Sequence, residues 1–290
     1  MNPDHLLIAP IDGALGARVT GVDLRLIPSQ TLVDRIESAL EQYGVLVFPD
    51  QHITPTQQVA FSRAFAELEQ TARIEARLKG EPDIFVVGNT GDKVVSFAPA
   101  DGSDDLEWHA DHMHLPVSAR ASMLYALEVP PAGGDTLFAC MYGGFQALSP
   151  DEQAEAKGLT ACHSGSGLRT FLREKGEAGT AEQVYAADAD LVMRIPLVRR
   201  HPRSGRSALY FGSKVTIGID GWEAERARDY LTALEAKATA PALRYAHKWA
   251  VGDAVLWDNR RVLHAGTPFD TERHRRCMHR TTFREDQPIA

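Results

Sequence analysis

The sequence predicts a mainly β protein of the α+β class, a sandwich or jelly-roll barrel with helices packed outside it. Two observations lead there. Short β-rich runs (SMLYALEV, GDTLFAC, IPLVRRHP, ALYFG and DAVLWDN) recur between Pro and Gly turns from residue 122 onward, while helical periodicity is confined to a few segments. No internal repeat or long Gly/Ser/Pro linker divides the 290 residues, so one domain over 1–290 is the simplest organisation.

Taken in order, residues 31–43 place Val33, Ile36, Leu40 and Tyr43 on one helical face, and this helix runs into GVLVF, an apolar strand. Residues 55–65 repeat the helical pattern behind Thr54, an N-cap with Pro at the first turn. Residues 72–107 hold a short strand at 84–87, then NTGDK and the polar ADGSDD; a connection of this length reads as a lid or binding loop. Beyond it come the β runs, interrupted by a helix at about 222–238.

The formal net charge of −8 gives no general attraction to phosphate backbones or anionic lipid, which argues against nucleic acid and membrane as partners. Cys140, Cys162 and Cys277 are scattered, with neither a disulfide framework nor a CxxC zinc pair, and a reducing compartment fits them. The first residues carry no secretory pattern and no stretch approaches the length of about 18 apolar residues that a span needs. The expectation is a cytoplasmic protein without span or anchor.

The chemistry concentrates in WHADHMHLP, residues 108–116. If 108–113 is a strand, His109 and Asp111 share a face, and His112 and His114 share the other. An HxD pair can bite one metal but needs a third ligand from elsewhere, and DAVLWDNRRVLHAG offers His264 just after a strand. Two histidines and a carboxylate on one side of an ion leave positions open for a co-substrate and dioxygen, as in non-haem Fe(II) oxygenases. Zinc competes for the same donors. The bland alternative is a polar strand edge with a turn histidine. Further on, RHRRCMHRTTFRED crowds Arg273, Arg275, Arg276 and Arg280 together, and in an extended segment Arg276, Met278 and Arg280 share a face. An inward arginine requires an anion, ideally a carboxylate gripped by two hydrogen bonds.

With these motifs in hand, the chain resembles the taurine dioxygenase / 2,4-dichlorophenoxyacetate dioxygenase family of Fe(II)- and 2-oxoglutarate-dependent oxygenases. The resemblance runs through GALGARVTGVDL, YGVLVFPDQHITPTQQVAFSRAF, WHADHMHL, PPAGGDTLF, HPRSGRSALYF and WDNRRVLHAGTPFDTERHRRCMHRTT. It implies a double-stranded β-helix (jelly-roll) core with flanking helices, and a homo-oligomer. It implies His109, Asp111 and His264 as iron ligands, Thr136 and Arg276 as the contacts of 2-oxoglutarate, and Arg280 as the residue that meets an anionic substrate head. Asp105 stands four residues before His109, where many relatives carry a substrate-positioning Asn; a carboxylate there would welcome an amine. The implied reaction hydroxylates a small organic anion (a sulfonate, sulfate ester, aryloxy acid or amino-acid-like compound) with dioxygen and releases succinate. Hydroxylation next to a heteroatom would end in cleavage. A zinc hydrolase on the same ligands and a non-catalytic cupin-like binding module are the rival readings.

Overall fold

The computed structural model describes residues 6–71, 73–90, 106–174, 191–213 and 215–286. The run VLVF is apolar throughout because the strand it forms, Val45–Phe48, is covered on both faces. Leu46 and Phe48 pack with Leu32, Ile36 and Leu40 of the helix Gln30–Tyr43, while Val45 and Val47 join the core on the other side. That helix starts where the Ser29 side chain accepts from the Leu32 N–H and stops at Gly44, whose φ of 75° takes the left-handed cap that glycine tolerates.

Val45–Phe48 lies within a nine-stranded sheet. From one edge the order is Leu7–Pro10, Ala17–Thr20, Val45–Phe48, Ala254–Asp258, Ala119–Glu128, Cys277–Arg284, Glu81–Gly88 and Arg77–Leu78, with Leu68–Glu69 also pairing onto Cys277–Arg284. The facing sheet has three strands, Arg244–His247, Thr136–Cys140 and Val262–Gly266. Side chains alternate accordingly: Leu124, Val255 and Trp257 point between the sheets, where Trp257 meets Phe138 and His264, while Met123, Tyr125 and Leu256 point to the helical layer. The Phe138 and Trp257 rings meet 5.6 Å apart. This is the expected mainly β, α+β jelly-roll with helices outside. Strands Val192–Pro196, Thr160–Ser164 and Thr216–Ile219 form a smaller sheet.

The helix Pro55–Arg63 begins at the expected N-cap Thr54, which also forms a capping box with Gln57. It docks on the Cys277–Arg284 strand through Gln58, whose amide donates to the His279 carbonyl at 2.9 Å, and through Ser62, 2.8 Å from the Thr281 hydroxyl. The turn that joins Ala254–Asp258 to Val262–Gly266 is fixed by a buried charge cluster. Asp258 accepts two bonds from the Arg260 guanidinium, at 2.8 and 2.7 Å, and lies 3.0 Å from His201 Nε2. Burial pushes the Asp258 pKa up, but Arg260 and His201 outweigh it and hold the carboxyl below its usual range.

The structure departs from the sequence reading at several places. The late helix is Ala224–Ala238, as expected, but Met141–Gln146, Pro150–Gly158 and Gly165–Glu174 are helices where only β runs were anticipated. Within the expected lid, Arg77–Leu78 and Glu81–Gly88 are strands of the large sheet. Residue 72 and residues 91–105 of that segment lie outside the described residues. Among the described residues no helix is long and apolar enough to cross a membrane.

Candidate active site

Residues 108–113 are not a strand. His109 makes a single antiparallel bridge to His264, exchanging two backbone hydrogen bonds of 3.0 and 2.8 Å, and a turn follows in which His112 has φ 54°. The turn, rather than strand alternation, carries Asp111 to the same place. His109, Asp111 and His264 each offer a ligand atom, and these atoms lie within 4.8 Å of one another; among the described residues this is the one such group of three or more. His109 Nδ1 lies 2.8 Å from the Glu107 carbonyl, an acceptor only, so Nδ1 carries the proton and Nε2 the lone pair a metal needs. Burial, with His109 alongside, lowers the His264 pKa well below its ordinary value and keeps its imidazole neutral.

Asp111 is engaged on both oxygens. Oδ2 accepts from the Ser122 hydroxyl at 2.6 Å and Oδ1 from Arg280 Nη1 at 2.5 Å. Burial acts to raise its pKa, and Arg280 reverses this and leaves it depressed. Asn259 ties the arrangement together: its Oδ1 accepts from the Asp111 N–H at 3.1 Å and the Trp257 indole at 3.0 Å, and its Nδ2 donates to Ser122 at 3.0 Å. These residues were missed in the sequence, although WDN served as the landmark for His264. A lone serine inside the apolar run SMLYALEV was the available signal, because a buried hydroxyl needs a partner.

His109, His264, Thr136, Arg276 and Arg280 line one cavity, with Val87, Leu124, Trp257, Thr267 and Phe269 as further walls. Thr136 sits at the start of its strand, and its hydroxyl accepts from the Trp249 indole at 3.0 Å. Indole N–H only donates, so the threonine keeps its own proton to give to a ligand. Arg276 is buried, its Nε 3.2 Å from the Gly134 carbonyl. No carboxylate among the described residues lies within ion-pair distance of it, and burial pushes its pKa down to about 10. Arg280 lies over the Phe85 ring at 4.6 Å, and its buried Nε has no hydrogen-bond partner. Of the remaining sequence candidates, Asp105 lies outside the described residues. His112 and His114 are buried and outside the three-ligand group, and burial lowers their pKa to about 4 and about 3, so both are neutral.

The donor set fits Fe(II), since two imidazoles and one carboxylate beside a cavity leave room for further oxygen ligands, although zinc takes the same donors. A buried guanidinium without a carboxylate fits an acid co-substrate. Residues 7–282 match the model of the taurine catabolism dioxygenase TauD, TfdA family. The chain belongs to this TauD/TfdA family. It is 36% identical over 273 residues to the (S)-phenoxypropionate/alpha-ketoglutarate-dioxygenase of Sphingobium herbicidovorans, which covers 94% of this chain and 93% of that one. A crystal structure of a taurine dioxygenase from Burkholderia xenovorans superimposes with a TM-score of 0.80 at 26% identity, covering 99% of this chain and 93% of that one. A structure described as AAD-2 in complex with Mn(II) and N-oxalylglycine gives 0.79 at 30% identity, with 98% of both chains covered. The TauD/TfdA protein described here is accordingly an Fe(II)- and 2-oxoglutarate-dependent dioxygenase. Family membership sets aside the zinc hydrolase and the non-catalytic binding module.

Proposed function

We propose that this dioxygenase hydroxylates a small organic anion, with His109, Asp111 and His264 holding Fe(II), Thr136 and Arg276 holding 2-oxoglutarate, and Arg280 meeting the substrate's acidic head. The observation that carries the reading is two buried guanidiniums on the wall of one cavity, beside the three-ligand group. Bound iron and 2-oxoglutarate supply the activation of dioxygen, coupled to decarboxylation of the keto acid to succinate.

The chain's own residues orient and exclude. His109 presents Nε2 because Nδ1 is committed to Glu107. Ser122 on Asp111 Oδ2 and Arg280 on Oδ1 fix the orientation of the carboxylate that would hold the metal. Arg276 grips the distal carboxylate of 2-oxoglutarate, and Thr136 donates its hydroxyl proton to the same acid. Arg280 keeps Nη1 on Asp111, while its unpartnered Nε supports a contact with the substrate anion. Val87, Leu124, Trp257 and Phe269 form an apolar wall that shields the reacting carbon from water.

The phenoxypropionate and taurine relatives are named for carboxylate and sulfonate compounds, which supports the anion preference. Asp105 would add preference for a second, cationic group, as in an amino acid or aminosulfonate. If the hydroxylated carbon bears a heteroatom, the product loses that group as its protonated form and leaves a carbonyl. The three cysteines, all free, support a reducing compartment such as the cytoplasm, and a homo-oligomer rests on the family resemblance.

Sulfonates, sulfate esters, aryloxy acids and N-substituted amino acids should be offered with 2-oxoglutarate and scored by substrate-dependent succinate release. At least one anion class should stimulate turnover. Stimulation by neutral or purely cationic compounds alone would overturn the assignment of Arg280.

A further inference from the structure

We infer that Asn89 is a positioning residue that aims the Arg276 guanidinium at 2-oxoglutarate, an inference that rests on the reading of Arg276 given above. Asn89 stands in NTGDK, the stretch after Glu81–Gly88 that carries no recognisable chemical motif. Its side chain and backbone make four hydrogen bonds across to the segment that ends at Arg276. Oδ1 accepts from the Arg276 N–H at 2.7 Å, and the Asn89 N–H donates to the Arg276 carbonyl at 3.1 Å. Nδ2 donates to the Thr271 carbonyl at 3.1 Å and the His274 carbonyl at 2.8 Å. One residue thus holds both backbone polar groups of the arginine, its carbonyl through the Asn89 backbone N–H and its N–H through the side-chain amide, which also holds two carbonyls of the loop before it.

That loop, residues 267–275, joins the strand that carries His264 to the strand that follows Arg276, and contributes Thr267 and Phe269 to the cavity wall. Its start is tied to the facing sheet: the Thr267 N–H donates to the Asp135 carbonyl at 2.9 Å, and the Gly134 N–H donates to the Pro268 carbonyl at 3.1 Å. Much of its middle is held by turns onto Asp270. Asn89 closes its far end.

Close approach is built into the preceding residue. Gly88 has φ 150°, and a Cβ there would lie 1.9 Å from the Arg276 carbonyl oxygen, so the strand reaches Arg276 only with glycine at this position. Asp135 acts on the guanidinium electrostatically, but no carboxylate among the described residues is in ion-pair reach to orient it, so its direction must come from elsewhere. Here the Gly134 carbonyl holds Nε and Asn89 holds the backbone from which the side chain springs. The residue type follows. An amide offers an acceptor for the Arg276 N–H and two donors for the carbonyls; a carboxylate offers acceptors alone and would face Thr271 and His274 with repulsion.

The test titrates Mn(II)-loaded protein calorimetrically with 2-oxoglutarate and with 2-oxobutanoate, which has the keto-acid end and lacks the distal carboxylate. Asn89→Ala should weaken 2-oxoglutarate by about tenfold, the scale of a lost hydrogen bond that orients a charged group. Binding of 2-oxobutanoate and of Mn(II) itself should stay unchanged. Equal loss for both keto acids means general loosening and overturns the inference, as does no loss for either. Arg276→Gln runs beside it: if that variant shows no selective loss of 2-oxoglutarate, the reading of Arg276 falls, whereas a selective loss there with none in Asn89→Ala overturns the role of Asn89 alone. Should Asn89→Ala fail to fold, Asn89→Ser decides on the same criteria, because its shorter side chain keeps a polar group while losing the acceptor for Arg276 and both donations.

Discussion

Arg260 and Arg276 are equally hidden from solvent, each 9% exposed, yet their surroundings are opposite. Arg260 is forked onto Asp258, with Glu285 3.7 Å away; burial works against its charge, but Asp258 more than compensates and its pKa is raised. Arg276 has one carbonyl on Nε and no carboxylate in ion-pair reach among the described residues, and its pKa falls to about 10. A buried charge that finds its counter-ion within the chain is architecture. One that does not is waiting for a ligand, because leaving it unpaired costs free energy that only binding recovers.

The sharpest way to break this contrast is to remove Asp258. Asp258→Ala strands Arg260 in the core and should cost about 3–5 kcal/mol in urea unfolding. The pH dependence has a definite sign. Because the folded pKa of Asp258 is depressed, its contribution is complete above the unfolded carboxylate value of about 3.9 and is lost as pH falls below it. The wild type should therefore lose stability progressively below about pH 4, and the variant should lose correspondingly less. An unaltered acid limb in the variant would remove Asp258 from this role.

Arg276→Gln should give the reverse result. Removing an unpaired guanidinium should leave the thermal midpoint unchanged or raised, while 2-oxoglutarate affinity drops by about 2–4 kcal/mol, roughly 30- to 1000-fold. Large destabilisation with intact affinity would show that the two arginines are the same kind of residue after all. Next in size comes the Asp111 clamp. Ser122→Ala should weaken Fe(II) or Mn(II) binding by about 10- to 100-fold without unfolding the protein, as read from metal titration in the absence of 2-oxoglutarate. Smallest is Trp249→Phe, which deletes the donor to Thr136 and should cost about 1 kcal/mol in 2-oxoglutarate binding. An effect on metal affinity instead would place Trp249 in the metal's support.

The sequence was most legible where one periodicity governs a whole segment. The helix Gln30–Tyr43 and the strand Val45–Phe48 each have a single pattern enforced by burial, and they were read within a residue or two. The helix Pro150–Gly158 was missed: Ser149, Pro150 and Glu152 mark its start with a capping box, but its short, mostly polar body lacks an apolar stripe. Gly165–Glu174 opens with two glycines in its first three positions, which hides its helical character. At the candidate site the residue types were visible and the geometry was not. Strand alternation does place His109 and Asp111 together, but the chain reaches that result through a one-residue bridge and a left-handed His112. The partners of Asp111 arrive from Ser122, Asn259 and Arg280, and no local pattern reports contacts across such separations.

The bridge between His109 and His264 has a consequence for how the protein is made. Two ligands from distant parts of the chain are joined by backbone bonds, so the sheets must close before any metal can see both imidazoles. Long-range pairing of this kind is slow, and a growing chain lacks His264 until 155 residues beyond His109 have been added. Metal capture is therefore a late event in biogenesis, and it locks a seam that the backbone has already drawn together.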